Sequence, residues 1–313
     1  MSLDRKLEKS ILNVSCRAAL SSYHLIGKKD KILADKAAVD TMRTELNKIN
    51  MKGKIVIGEG ELDKAPMLYI GEKVGTNKGV ELDIAVDPLE GTNFVANNLP
   101  GALSVIAISE KSNLFNAPET YMNKISANVK EKNVVDLDFS IKKNIDNLAQ
   151  YKNKSPDKLT TCILDRPRHK KIIEELKKLN VNIKLITDGD VSGALLVTDE
   201  KYDVDLFLGI GGGPEGVLAA SALDTFDCFF QGKFLFDTEK DKLRAKKMGI
   251  KDFNKKYELK EIISGDSIFC ATGITTGDLV SGIKIENDEF VSETLITHKS
   301  TGLKKYTQLK QKI

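Results

Sequence analysis

The stretch Glu81-Leu82-Asp83-Ile84-Ala85-Val86-Asp87-Pro88-Leu89-Glu90-Gly91-Thr92 joins a short apolar run to two carboxylates, a proline, a glycine and a hydroxyl. Ile84, Ala85 and Val86 suit a strand buried on both faces, and Pro88, which has no N–H for the ladder, predicts that the strand stops at Asp87. Gly91 permits a tight turn, and Thr92-Asn93 is expected to open a helix. A hydroxyl and backbone N–H groups would then point beyond the strand, where cations held by the carboxylates could meet a phosphate. The competing reading is local: Asp87 and Thr92 cap a turn and Glu90 is solvated.

Outward from this stretch, Leu7, Ile11, Val14, Ala18 and Ser22 recur at helical spacing and predict a helix over 3–26. A second helix is expected over 35–46, a strand at 54–57 before the acidic turn Gly58-Glu59-Gly60-Glu61, a strand over 102–109 and a helix over 141–151. The polar run Lys152-Asn153-Lys154-Ser155-Pro156-Asp157 is the best candidate for a boundary, and serves equally well as a surface loop. It would divide a metal- and phosphate-binding α+β domain at 1–157 from an α/β sugar-phosphate-binding domain at 158–313. Beyond it, apolar runs at 161–164, 183–186 and 205–208 each precede a helical pattern. That alternation predicts a parallel, doubly wound sheet with its ligand crevice beyond the strand C-termini. Three turns would converge on that edge: Asp165-Arg166-Pro167-Arg168-His169, Asp188-Gly189-Asp190, and 209–216 with its five glycines around Ile210, Pro214 and Glu215. A fourth, Ala271-Thr272-Gly273-Ile274-Thr275, follows the apolar Ile268-Phe269-Cys270 strand.

The chain has 313 residues, 41% of them apolar and 30% charged, as in a soluble globular protein of about two domains. A net charge of +3 with scattered lysines argues against nucleic acid. Cys16, Cys162, Cys228 and Cys270 lie far apart with no C-x-x-C pair, so neither a zinc site nor a disulfide framework is expected. No apolar run approaches the ~20 residues of a membrane span, and the polar start of the chain suggests no secretion signal. A cytoplasmic location follows as the default expectation.

Carboxylates at strand ends or helix starts, Asp35, Glu59, Asp87, Glu90 and Glu215, form an oxygen-only donor set suited to Mg²⁺ or Mn²⁺. Asp35 reads equally as a helix N-cap. Gly211, Gly213 and Gly216 fit G-x-G-x-x-G, but Glu215 inside the turn would oppose a pyrophosphate, so close approach to a sugar phosphate with Glu215 on a metal accounts better for both. Arg166 and Arg168 around Pro167 could cradle a second phosphate or form an exposed basic loop. His169 is expected to cap or solvate the same helix, and Tyr121 reads from its surroundings as a core aromatic with a tethered hydroxyl.

Taken in order, Ile57-Gly58-Glu59-Gly60-Glu61, the run from Ala65 to Glu72, the 87–92 segment, Arg166-Pro167-Arg168-His169, Asp188-Gly189-Asp190 and the glycine-rich turn up to Val217 resemble class II fructose-1,6-bisphosphatase. Asp-Pro-x-Glu-Gly-Thr by itself resembles the wider lithium-sensitive sugar-phosphatase superfamily. The resemblance implies an α/β (α+β) fold of the layered α-β-α-β-α sandwich type and hydrolysis of the 1-phosphate of fructose 1,6-bisphosphate. Sedoheptulose 1,7-bisphosphate is the near alternative, and a non-catalytic sugar-phosphate sensor the distant one. It also implies a homo-oligomer, metal ligation by Asp35, Glu59, Asp87, Glu90 and Glu215, and catalysis by Thr92 with Glu90. Substrate contacts would fall on Glu90, Gly91, Thr92, Tyr121, Arg166, Pro167, Arg168, Asp188, Gly189, Asp190 and Gly212. Gly213 departs from the alanine expected there, and the segment from Gln231 to Arg244 is shorter than in larger members.

Overall fold

The computed structural model describes residues 3–60 and 67–312, and the chain forms two units, Met1–Asn116 with Ile263–Ile313, and Ala117–Ile262. Asp4 caps the first helix, α1 (Arg5–Tyr23), by accepting from the Leu7 N–H, and Asp30 does the same for Leu33 at α2 (Lys31–Leu46). Then come β1 (Met51–Ile57), β2 (Lys73–Val74), β3 (Val80–Glu90), α3 (Thr92–Asn97) and β4 (Leu103–Glu110). The second unit runs through β5 (Tyr121–Ala127), α4 (Ile141–Lys152), β6 (Thr160–Leu164), α5 (Lys170–Lys178), β7 (Asn182–Ile186) and α6 (Asp190–Leu195). It continues through β8 (Leu206–Gly212), α7 (Gly213–Thr225), β9 (Phe229–Phe234), α8 (Glu239–Lys247), β10 (Lys256–Glu258) and α9 (Leu259–Ile262). The chain then returns to the first unit as β11 (Ser267–Gly273), β12 (Lys284–Glu286), β13 (Glu289–His298) and β14 (Leu303–Lys312).

The first sheet has the order β12-β13-β11-β4-β3-β1-β2, with β14 also on β13. β1 and β3 are parallel, and the other pairs are antiparallel. Ile11 and Val14 of α1 and Met42 and Leu46 of α2 pack onto Ile55, Ile84, Ile106 and Ile268, so one sheet face is covered by these helices. The apolar run 268–270 is therefore not part of the second unit's sheet, as its position in the sequence suggested. It lies between β4 and β13, antiparallel to both.

The second sheet has the order β10-β9-β5-β8-β6-β7. β6, β7 and β8 are parallel as predicted, but β5, β9 and β10 pair antiparallel, so the sheet is mixed. Ile125, Leu206 and Leu208 pack with Ile145 and Leu148 of α4 and Leu176 of α5. The alternate residues face the other way: the Ser126 hydroxyl donates to the Ala194 carbonyl of α6, and Phe207 lies against Gly193 of the same helix. Helices thus cover both faces of this sheet.

The run 152–157, expected as the boundary, lies inside the second unit. Asp205 ties it down, pairing with Lys152 at 2.7 Å and Lys154 at 3.1 Å and accepting from the Thr160 N–H. The chain instead leaves the first unit after Asn116 and re-enters it at Ile263. All four cysteines are buried and none is in a disulfide. No described helix is long and apolar enough to cross a membrane.

Candidate active site

The strand through Asp87 does not stop at the proline. β3 continues to Glu90, and its register against β4 passes from Asp87↔Val105 to Glu90↔Leu103, which inserts one extra residue on β3. Pro88 costs nothing there, because a bulge leaves its residue out of the ladder. The bulge has a chemical consequence. Residues three apart on a regular strand face opposite sides of a sheet, but Val105 and Leu103 are two apart and share a face, so their partners Asp87 and Glu90 share it too. Gly91 follows at φ +83°, and a Cβ there would lie 2.7 Å from the Phe94 ring, so only glycine makes this turn into α3 without strain. Thr92 is the first residue of α3, half-buried.

Because β1 is parallel to β3, the turn after β1 leaves the sheet at the same edge as Asp87. Glu59 is half-buried in that turn, where its N–H donates to the Leu68 carbonyl at 3.0 Å. Gly58 makes this approach possible, since a Cβ would stand 2.0 Å from the same carbonyl oxygen. Glu72, buried, receives the Leu68 N–H and pairs with Arg43 of α2 at 2.5 Å, which pins this segment to the helix layer. Glu61, Ala65 and Pro66 of the sequence motif lie outside the described residues.

Asp35 is not an N-cap, because Asp30 holds that position. It lies in the second turn of α2, next to Ala34, which packs with Leu89, Phe94 and Val95 around the bulge and α3. Burial alone acts on its carboxyl, raising the pKa above the usual carboxylate range. Such a group gains from a bound cation.

In the second unit the C-terminal ends of β6, β7 and β8 lie at one edge, as their parallel register requires. His169 organises it. Buried completely, its Nε2 accepts from the Ile210 N–H at 2.8 Å, so Nδ1 carries the proton and donates to the Leu164 carbonyl at 2.6 Å. Burial holds its pKa below the ordinary value, consistent with a neutral ring bridging β6 and β8. It stands at the N-cap position of α5 but its ring makes no cap bond there, and it is not solvated.

Arg168 donates through Nε to the Ile210 carbonyl at 2.9 Å and stacks its guanidinium 4.7 Å from the Tyr121 ring centroid. Tyr121 is 49% exposed, so it is no core residue but a surface platform beside Gly212, its ladder partner. Arg166 lies 3.8 Å from Asp188. Asp190, at the start of α6, pairs with Lys124, a lysine only 1% exposed whose Nζ also donates to the Gly212 carbonyl at 2.6 Å.

The glycines of the 211–216 turn make room for the chain's own acids. A Cβ on Gly211 would stand 1.9 Å from an Asp190 carboxylate oxygen, and one on Gly212 1.8 Å from Glu215 Oε2. Glu215, in the first turn of α7, has its pKa raised by burial, with Lys124 opposing and Asp190 and Asp188 reinforcing the shift. A cavity of about 480 Å³ opens here, lined by Tyr121, Gly212 and Glu215 together with Asp237, Thr238 and Asp241. Lys124 and His169 carry this site; nothing in the sequence set Lys124 apart, and His169 stood out only as a histidine beside two arginines. Among the described residues no three His, Cys, Asp or Glu side chains stand close enough together to hold a metal ion. What fits a hard cation is the chemistry of the donors: carboxylate oxygens, with Asp87 and Glu90 on one face and Asp35 lacking a compensating charge.

The profile of the bacterial fructose-1,6-bisphosphatases, glpX-encoded, matches residues 5–311. The D-fructose 1,6-bisphosphatase class 2/sedoheptulose 1,7-bisphosphatase of Synechococcus sp. (strain JA-3-3Ab) is 40% identical, over 94% of this chain and 92% of that one. The protein of the same description from Prochlorococcus marinus (strain MIT 9303) is 42% identical over 91% and 90%. Among solved structures, inositol monophosphatase from Anabaena (Nostoc) sp. PCC 7120 aligns at 12% identity over 69% of this chain and 80% of that one, with a TM-score of 0.33, too weak a likeness to argue from. On the first three of these findings, the chain belongs to the family of glpX-encoded bacterial fructose-1,6-bisphosphatases.

Proposed function

We propose that this chain hydrolyses the 1-phosphate of D-fructose 1,6-bisphosphate to fructose 6-phosphate and phosphate. Sedoheptulose 1,7-bisphosphate is the second substrate to test, since the curated relatives carry both activities in their descriptions. The observation that carries the reading is the β3 bulge, which brings Asp87 and Glu90 to one face immediately before the Thr92 hydroxyl. Family membership implies dependence on a divalent metal.

Asp35, Glu59, Asp87, Glu90 and Glu215 would hold that metal, Mn²⁺ or Mg²⁺, which when bound neutralises phosphoryl oxygens and acidifies water. Thr92 orients the attacking water through its hydroxyl, and Glu90 takes the proton, because an unassisted threonine hydroxyl is a poor base. Water oxygen forms the new bond to phosphorus as the bond from phosphorus to the sugar O1 breaks, and the proton taken by Glu90 is passed on through solvent to that oxygen. Arg166 and Arg168 hold the distal phosphate, with the Tyr121 ring fixing the plane of Arg168. The Asp188-Gly189-Asp190 turn and the Gly212 backbone take the sugar hydroxyls.

Phosphate release from each bisphosphate, with Mn²⁺ and with Mg²⁺, tests this. EDTA should abolish release, and Thr92→Val should lower kcat by roughly 10²–10⁴-fold while the protein stays folded. Full activity in Thr92→Val would sink the role of that hydroxyl, and full activity in Asp87→Asn the ligand set.

A further inference from the structure

The starts of β1 and β3 carry an arrangement that the reaction does not use. Lys54 of β1 stands directly across the antiparallel ladder from Lys73 of β2, and like charges placed so destabilise a sheet. Lys52, two residues earlier, shares their face, and all three are exposed. On the other flank the register sets Lys52 beside Glu81 and Lys54 beside Asp83. Those acids have nearer partners: Glu81 pairs with Lys111 at 2.8 Å, and Asp83 accepts from the Ser112 N–H at 2.7 Å, so Lys52 and Lys54 act on them only through longer-range attraction. Among the described residues, none of the three lysines has a carboxylate within ion-pair distance.

These side chains line a cavity of about 640 Å³ whose charged lining is four lysines, 52, 54, 73 and 111, against two carboxylates, with Val74 and Leu114 as apolar wall. That size takes a small organic molecule. A lysine on an edge strand deters pairing with another chain, which would account for Lys73 on β2. It does not account for Lys52 and Lys54, because β1 has a neighbour on each side.

We propose that this cavity binds the phosphate group of a small molecule at a place separate from the reaction centre. Asp83 precedes Asp87 by four residues of β3, ~13 Å along the strand, and the lysines lie at the opposite end of the parallel pair from Glu59 and Asp87. Lysine ammonium groups act there as point charges on phosphate oxygens, and bound phosphate relieves the repulsion between Lys54 and Lys73.

Acetylation of lysines in the full-length enzyme, read residue by residue by mass spectrometry, tests the site. Inorganic phosphate should protect Lys52, Lys54 and Lys73 and leave Lys36 and Lys142 reacting as before. Lys54→Met should raise the phosphate concentration that protects Lys73 by roughly tenfold, the loss of one charged hydrogen bond, and Lys54→Arg should retain protection. Phenylphosphonate, which carries a similar anion on an apolar ring, separates the sources. Protection at lower concentration than phosphate identifies an organic phosphate, and equal protection identifies free phosphate. Unchanged labelling with both anions, or protection of Lys73 undiminished in Lys54→Met, overturns the proposal.

Discussion

Asp205 in the second unit is buried and Asp35 in the first partly so, yet their carboxyls shift in opposite directions. Burial pushes up on each. At Asp205 the hydrogen bonds and charges of Lys152 and Lys154, with the Thr160 N–H, outweigh it and hold the pKa below the usual range. At Asp35 nothing opposes burial, and the pKa rises. Asp136 behaves as Asp205 does, brought down by Lys256 against its own burial. The second unit supplies Asp205 and Asp136 with lysines, whereas no charge of the chain offsets the burial of Asp35. Of these acids, Asp205 and Asp136 come with their own counter-charge and Asp35 does not.

The sharpest way to break this comparison is Lys124→Met. It strands the Asp190 carboxylate in a buried place and should cost about 3–5 kcal/mol in urea or thermal unfolding. If stability is unchanged, the pair is not what organises the 188–190 and 209–216 turns. Asp205→Asn should cost ~1–3 kcal/mol, because its lysines are partly exposed. Asp35→Asn should instead leave stability equal or higher by no more than ~1 kcal/mol, since solvent screens a half-exposed charge, while phosphatase activity falls.

The pH dependence sharpens the contrast further. Asp205, with its folded pKa depressed, adds stability above the unfolded value near ~3.9 and loses it as pH falls through the folded pKa. The cost of Asp205→Asn should therefore shrink toward zero in acid. Asp35, with its folded pKa raised, penalises the folded state as pH rises from ~3.9 through that higher value, so any gain from Asp35→Asn should appear only above that window. Matching pH profiles for the two variants would break the comparison. The smallest effect is expected at Tyr121→Leu, which removes the ring beneath Arg168. A loss of ~0.5–1 kcal/mol should appear in KM for the bisphosphate with kcat little changed.

Much of the fold was legible because apolar periodicity is local. The runs at 161–164, 183–186 and 205–208 became β6, β7 and β8, and the parallel pairing followed from the helices between them. Periodicity does not name a strand's neighbours, so Ile268-Phe269-Cys270 looked like one more strand of the second half. Its place between β4 and β13 depends on pairing 160 residues away, which no local pattern encodes. The expectation that Pro88 ends its strand failed for a related reason: whether a proline breaks a ladder or occupies a bulge depends on the register of the opposite strand. Asp30 took the cap expected of Asp35, since both residue types fit and only the first turn of α2 decides between them.

Residue chemistry came from the sequence by itself: which positions are acids, glycines, arginines and hydroxyls, and in what order they follow apolar runs. Those suffice to read a carboxylate edge with Thr92, a basic turn at 166–168 and a glycine turn holding Glu215. Tertiary structure decided what each group feels. It put Asp87 and Glu90 on one face through a single inserted residue, gave Asp190 a buried lysine, made His169 a neutral strut and left Asp35 with burial unopposed. Bond-forming capacity belongs to a side chain, but its charge state and direction are set by neighbours that only the folded chain assembles.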